Sequence, residues 1–323
     1  MKFFALFVLI SLVVCPASES QTFTPSTNLV VRWEASENPW PKALWVYAMI
    51  PTKFSSEVIS NLLQATGYTA NDKRDYGTNG MIFVNSQKSG NLRISFTEGE
   101  IEYWTTLNYG PTNLARDVPA TNQLFSLTTN FLSKTGIRLS ELSKDRNGQP
   151  KIYFPEAYTE YFISNTVITN IQYRIVRFNR ALDSVEFRGA GGNGEFDFSE
   201  HGRVTKIWLH WPSLKRDKLY PTIAPERIIQ WIRDGKVTIG PIVDDYGNEM
   251  TIDWSKVKAL TVKEASANYA GEVFLGAREH QPIFPSYVRP MATLWGTVET
   301  GTNIFKVGIT CPVIDEIKPL DVK

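Results

Sequence analysis

Apolar residues recur along this chain at two spacings, and the switches between them mark out its elements. Residues 43–50, ALWVYAMI, form an unbroken apolar run rich in strand formers, and Pro51 stops it. Val58, Ile59, Leu62 and Leu63 then fall at helical spacing, with serines ahead and Gly67 behind, which predicts a helix over 55–67. GMIFVNS, GNLRISFTEG and EIEYWTTL read as three short strands between glycine and polar turns. In the last of them Ile101 and Tyr103 alternate with Glu100, Glu102 and Trp104, the period of a half-buried strand. Leu124, Leu127, Phe131 and Leu132 make the stripe of a second helix over 120–137, ended by Gly136. Strand patterns follow in KIYF, TNIQYRIVRFNR, SVEFRG, GEFDFSE and RVTKIWLHW. A third helix is expected over 223–237, with Pro225 in its first turn and Gly235 at its end, before the chain returns to strands.

The order is helix then meander, three times over. It predicts an α+β fold with helices packed on antiparallel β-sheets, and the missing βαβ alternation argues against a doubly wound parallel sheet. Residues 21–42 read as an extended lead-in, 43–118 as an N-terminal helix-plus-meander unit, and 119–323 as a region holding two further helix-plus-sheet units. In RVTKIWLHW, Thr205, Ile207, Leu209 and Trp211 are assigned to the core face. Val204, Lys206, Trp208 and His210 are assigned to the opposite face, where Trp, His and Lys together suit either a binding surface or a covering loop.

The first twenty residues change the picture of where the protein works. MKFFALFVLISLVVCPASES has one lysine, an apolar stretch from Phe3 to Val14 and small residues after it, the layout of a secretory signal peptide over 1–20. Cleavage is expected before Gln21, with a second option after Ala17. The apolar part is shorter than the ~20 residues a membrane span needs, and no later segment replaces it. The expected localisation is therefore secreted or extracellular, or periplasmic or at the cell surface in a bacterium, without stable membrane insertion. Cys15 leaves with the signal, so Cys311 stands alone and is read as a small buried apolar residue. A net charge of +1 over 323 residues offers no field for nucleic acid.

Motifs for chemistry are absent. The chain has no H-E-x-x-H, G-x-S-x-G, P-loop or C-x-x-C. The glycine-rich RGAGGNGEFDFSEHGR lies between two strand patterns, which fits a hairpin linker and not a phosphate loop. His201 falls in a turn, and His280 lies in a loop beside Glu279 with no nucleophile marked. Asp244, Asp245 and Glu249 do not meet the calcium-loop pattern and read as a polar turn. No catalytic residue, cofactor or metal site is assigned.

ATNQLFSLTTNFLSKTGI, GAGGNGEFDFSEHGRVTKIWLHWPSL, TIAPERIIQWIRDGKV and QPIFPSYVRPMATLWG, in that order, resemble the layout of exported PepSY-type proteins. The likeness is to extracytoplasmic regulators of two-component systems built from paired PepSY-like units. It rests on Phe198, Gly202 and Val204, on Trp211, on Pro225 to Gly235, and on Tyr287, Pro290 and Trp295. The resemblance implies tandem cystatin/PepSY-like units and a non-enzymatic role, binding a partner protein such as a peptidase or a sensor domain. It carries over no functional site. The expected function is thus an exported binding or regulatory protein. Alternatives are a secreted hydrolase with acid and base far apart in sequence, and a structural surface or matrix protein. Exposed aromatic surface would carry partner contact, and the candidates are Trp208, His210, Tyr246 and Tyr287.

Overall fold

The computed structural model describes residues 23–74, 77–163, 166–189, 191–271 and 287–314. The expected signal peptide and His280 lie outside the described residues. In chain order the elements begin with β1 (Val30–Trp33), β2 (Ala43–Ile50), α1 (Ser56–Thr66), β3 (Lys73–Arg74), β4 (Gly80–Val84), β5 (Asn91–Ser95) and β6 (Glu100–Trp104). Next come α2 (Thr121–Lys134), β7 (Ile152–Tyr153), β8 (Thr159–Ile163), β9 (Thr166–Asn170), β10 (Arg174–Leu182), β11 (Val185–Arg188), β12 (Asn193–Phe198) and β13 (Val204–His210). The chain continues with β14 (Ser213–Pro221), α3 (Pro225–Arg233), β15 (Thr238–Val243), β16 (Val257–Gly271), β17 (Tyr287–Thr300) and β18 (Asn303–Pro312).

The helices stand where the 3.6-residue spacing put them, for local reasons. The Ser55 side chain accepts from the Val58 N–H at the start of α1, and Gly67, at φ 69°, ends it in the left-handed region. The Gln123 side chain accepts from the Ala120 N–H at 2.9 Å ahead of α2. Pro225 opens α3, where its missing N–H costs nothing. None of the described helices is long and apolar enough to cross a membrane.

The chain divides into two compact units. The larger contains Pro41–Thr222, with Ala267–Met291 and Pro312 onward as far as these are described. Its central sheet runs β3-β4-β5-β6-β13-β12-β10, antiparallel throughout. On one face Leu92, Ile94, Ile101, Phe196, Ile207 and Leu209 are buried against Leu62 of α1 and Leu124, Phe131 and Leu132 of α2. Phe131 meets Phe196 edge-on at 4.8 Å, and Phe178 lies 5.1 Å from Phe196. Each such side chain taken out of water contributes roughly 1.5–3 kcal/mol. The glycine-rich stretch expected to link a hairpin does not do so: β11 and β12 both pair with β10 and not with each other. A Cβ on Gly194 would sit 2.3 Å from Phe178 Cζ, so glycine there lets the ring lie against the backbone.

The smaller unit contains residues up to Trp40 together with Ile223–Ser266 and Ala292–Cys311. Its β1 pairs with β16 in parallel, Val30 facing Ala259 through Trp33 facing Val262. β18 lies between β15 and β17. Leu29, Val31, Ile228, Ile232, Leu260, Leu294, Val298 and Ile309 are buried in it, and Phe23 packs edge-on to Trp254 at 4.6 Å. Cys311 is buried here too, and burial pushes its thiol up to about 12, as suits a small apolar residue.

The α+β expectation of helices on antiparallel sheets, arranged as tandem cystatin/PepSY-like units, is corrected on three counts. Strands occupy 47% of the described residues and helices 18%, so the described part of the protein is mainly β. Pairing is mixed, with parallel ladders of β1 with β16 and β11 with β16. And α1 and α2 do not each cover a sheet of their own; they share one, because β6 of the first meander hydrogen-bonds to β13 of the second. Local periodicity reports which face of a strand is apolar. It carries no information on which distant strand completes the ladder. One residue moves as well. Val204, expected on the outer face, is buried in the core, because the register shifts between Asp197 and Phe198 and sets Val204 opposite Phe198.

Ile207→Ala should cost about 2–5 kcal/mol, whereas Trp104→Ala, on the neighbouring strand but pointing outward, should cost under about 0.5 kcal/mol. Denaturant titration of the two variants checks the contrast.

Candidate functional site

The face of the central sheet opposite α1 and α2 is built from charged and aromatic side chains, and the strand register arranges them in rows. The first row crosses six strands in turn: Arg93, Glu102, Trp208, Glu195, Arg177 and Tyr153. Beside it runs Trp104, Lys206, Asp197 and Ile175. On the other side runs Glu100, His210, Asn193 and Asn179. Alternation explains the set: these residues interleave with Ile101, Tyr103, Val176, Phe178, Phe196, Ile207 and Leu209, which face the helices.

Glu195 sits in the middle. It accepts from Lys206 Nζ and Arg177 Nε, both at 2.5 Å. Burial would raise its pKa, but the two cations outweigh burial and hold the carboxyl below its usual range. Asp197, two residues on, is nine-tenths buried, and its Oδ1 finds no hydrogen-bond partner among the described residues. Burial, reinforced by the Glu195 charge, pushes Asp197 up to about 7. At the far end Arg93 pairs with Glu100 at 2.5 Å and Glu102 at 2.9 Å. Burial holds the His210 imidazole below its ordinary value, so it is largely neutral at pH 7.

Beyond Arg177 the face opens into a cleft of about 390 Å³ lined by Tyr153, Pro155, Arg177, Asn179, Glu186 and Arg188. Glu186 accepts from Asn179 Nδ2 at 2.6 Å and lies 3.1 Å from Arg188 and 3.6 Å from Lys151. The Lys151 ammonium lies 5.2 Å from the centre of the Tyr153 ring.

No family model and no curated protein matches this chain. The site therefore stands on its own geometry.

Of the four residues singled out from the sequence, Trp208 and His210 share the outer face of β13, with Trp208 38% exposed. Tyr287 is 37% exposed at the start of β17 and faces Ala48 of β2, elsewhere in the same unit. Tyr246 is 91% exposed in the smaller unit, at the tip of a turn where Asp244 accepts from the backbone of Tyr246 and Asn248. That turn is the polar turn expected of VDDYGNE, and among the described residues no group of acids, histidines and cysteines could hold a metal ion. The structure adds Trp104, 53% exposed, together with Arg177, Glu195, Asp197 and Tyr153. A signal for Glu195 and Asp197 was present in GEFDF, where two acids alternate with two phenylalanines; their shared environment was not.

Asp197 gives a pH signature. Its folded-state value of about 7 lies above the ordinary 3.8, so the stability it contributes is complete below about pH 4 and is lost as pH rises through 7. Glu195 adds to that loss, while Lys206 and Arg177 reduce it. Asp197→Asn, neutral at every pH, should leave the melting temperature at pH 4 unchanged and raise it by a few degrees at pH 8. Calorimetry across that range reads the difference between the two slopes.

Proposed function

We propose that this chain is an exported binding protein that engages a partner protein through the outer face of its central sheet. The observation that carries the reading is the pair of exposed tryptophans, Trp104 and Trp208, on neighbouring strands of that face. Trp208 lies directly opposite Glu102, two residues before Trp104, which places the two rings at diagonal positions about 7–8 Å apart at the backbone. Large aromatic side chains in water are costly unless something covers them, and tryptophan concentrates binding energy when it is covered. The charged rows around them supply a polar rim. Export itself rests on the signal-like residues 1–20.

The test is affinity capture from the native extracellular fluid with the wild-type chain and with Trp104→Ala and Trp208→Ala. Both variants should lose the captured partner while keeping the wild-type melting temperature within about 2 °C. Retained capture in both would sink the assignment of this face. Unfolding of Trp208→Ala would make Trp208 a packing residue instead.

One observation favours a second reading, a secreted hydrolase. Asp197 and Glu195 are neighbouring carboxyls whose surroundings drive their acidities apart, the condition for an acid and a base to work side by side. They are two residues apart in sequence, not distant. A panel of peptide, ester and glycan substrates decides: turnover that Asp197→Asn abolishes favours the enzyme, and absence of turnover removes this reading.

A further inference from the structure

We propose that the cleft lined by β7, β10 and β11 receives a side-chain carboxylate from an acidic segment of the partner protein. This rests on the partner-binding reading above and adds the chemistry of the partner. Four basic groups, Lys151, Arg177, Arg188 and Lys206, are engaged with only two carboxylates, Glu186 and Glu195. Both carboxylates are already neutralised: Glu186 by Arg188 and Lys151, with a hydrogen bond from Asn179, and Glu195 by Arg177 and Lys206. The two guanidiniums are not. Arg177 spends its Nε on Glu195, and Arg188 spends one terminal nitrogen on Glu186. Each guanidinium carries five N–H donors in a fork, and both side chains line the cleft at 44% exposure. Unspent guanidinium donors beside a cleft match a planar carboxylate, which two parallel N–H groups can grip.

The remaining walls select the source. Tyr153 and Pro155 present apolar surface for the methylenes or ring of a peptide side chain. About 390 Å³ admits one or two such side chains, toward the small end of ligand pockets. Glu186 and Glu195, fixed within the same cluster, repel a dianionic phosphate or sulfate more than a single carboxylate. A net charge of +1 gives no broad field to hold a polyanion. The cleft also continues the row that carries Trp208, since Trp208, Glu195, Arg177 and Tyr153 face one another in turn across four strands. A peptide laid along that row would meet the aromatic anchor and the carboxylate grip together.

The test titrates the purified full chain, by fluorescence anisotropy, with a labelled peptide of alternating Glu and Tyr, its Gln-for-Glu counterpart, and a sulfated oligosaccharide. The acidic peptide should bind below about 1 mM, and the Gln peptide at least about tenfold more weakly. Added salt should weaken the acidic peptide and leave the Gln peptide unchanged. Arg188→Gln should lower its affinity by about tenfold with an unchanged melting temperature, and Arg188→Lys should recover only part of that, because a lysine lacks the fork. Tyr153→Ala should also weaken it. Equal binding of the two peptides, tighter binding of the sulfated oligosaccharide, no binding of the acidic peptide at about 1 mM, or full affinity in both Arg188→Gln and Tyr153→Ala overturns the proposal. Partner capture that Trp208→Ala abolishes and Arg188→Gln leaves intact would remove the cleft while leaving the partner-binding reading in place.

Discussion

The larger unit depends on one ladder, the antiparallel pairing of β6 with β13. Strands from two separate stretches of chain meet there, and the meeting turns two small meanders into a single sheet with β13 bonded on both sides. A small meander could bury little apolar surface by itself. Joined, the strands offer a face wide enough for α1 and α2 to share, and Ile207, Leu209, Ile101 and Phe196 reach near-complete burial beneath them. The core therefore exists because of the ladder, and the outer face inherits its rigidity. Lys206, Trp208 and His210 project from a strand that cannot slide without moving Ile207 and Leu209 to the solvent side.

That constraint also sets the electrostatics of the outer face. Register places Glu195 between Trp208 and Arg177, and Asp197 between Lys206 and Ile175. Two acids on one strand thereby receive different neighbours. Glu195 has two cations at hydrogen-bonding distance and stays ionised; Asp197 has burial and a neighbouring negative charge, and its carboxyl is held toward the neutral form. The difference arises from cross-strand partners and not from the acids themselves. The same lattice spaces the exposed tryptophans and opens the cleft at Tyr153, so aromatic anchor, ion-pair cluster and cleft share one scaffold.

The smaller unit is put together differently. Its parallel pairing of β1 with β16 joins an early stretch of chain to a late one, and α3, with Ile228 and Ile232 buried, packs beside it. Parallel neighbours need connections of a dozen residues or more, which the large sequence separation between these two strands supplies. Tyr246, its most exposed aromatic among the described residues, rides on a turn fixed by Asp244, whose carboxyl is held low by its hydrogen bonds to Asn248 and the turn backbone.

By itself the sequence determined the local elements and the sidedness of its strands. Helical spacing located α1, α2 and α3, because the apolar stripe and the cap residues are neighbours in the chain. Two-residue alternation separated Ile207 and Leu209 from Trp208 and His210, and Ile101 and Tyr103 from Trp104. Only the tertiary structure decided that β6 would lie against β13, that a bulge would turn Val204 inward, that some ladders would run parallel, and that Arg177, Glu195, Lys206 and Tyr153 would meet on one surface. The physical reason is the range of the information. A side-chain period is written within a few residues, whereas the choice of a strand's partner is settled by the summed burial and hydrogen bonding of segments far apart in the chain.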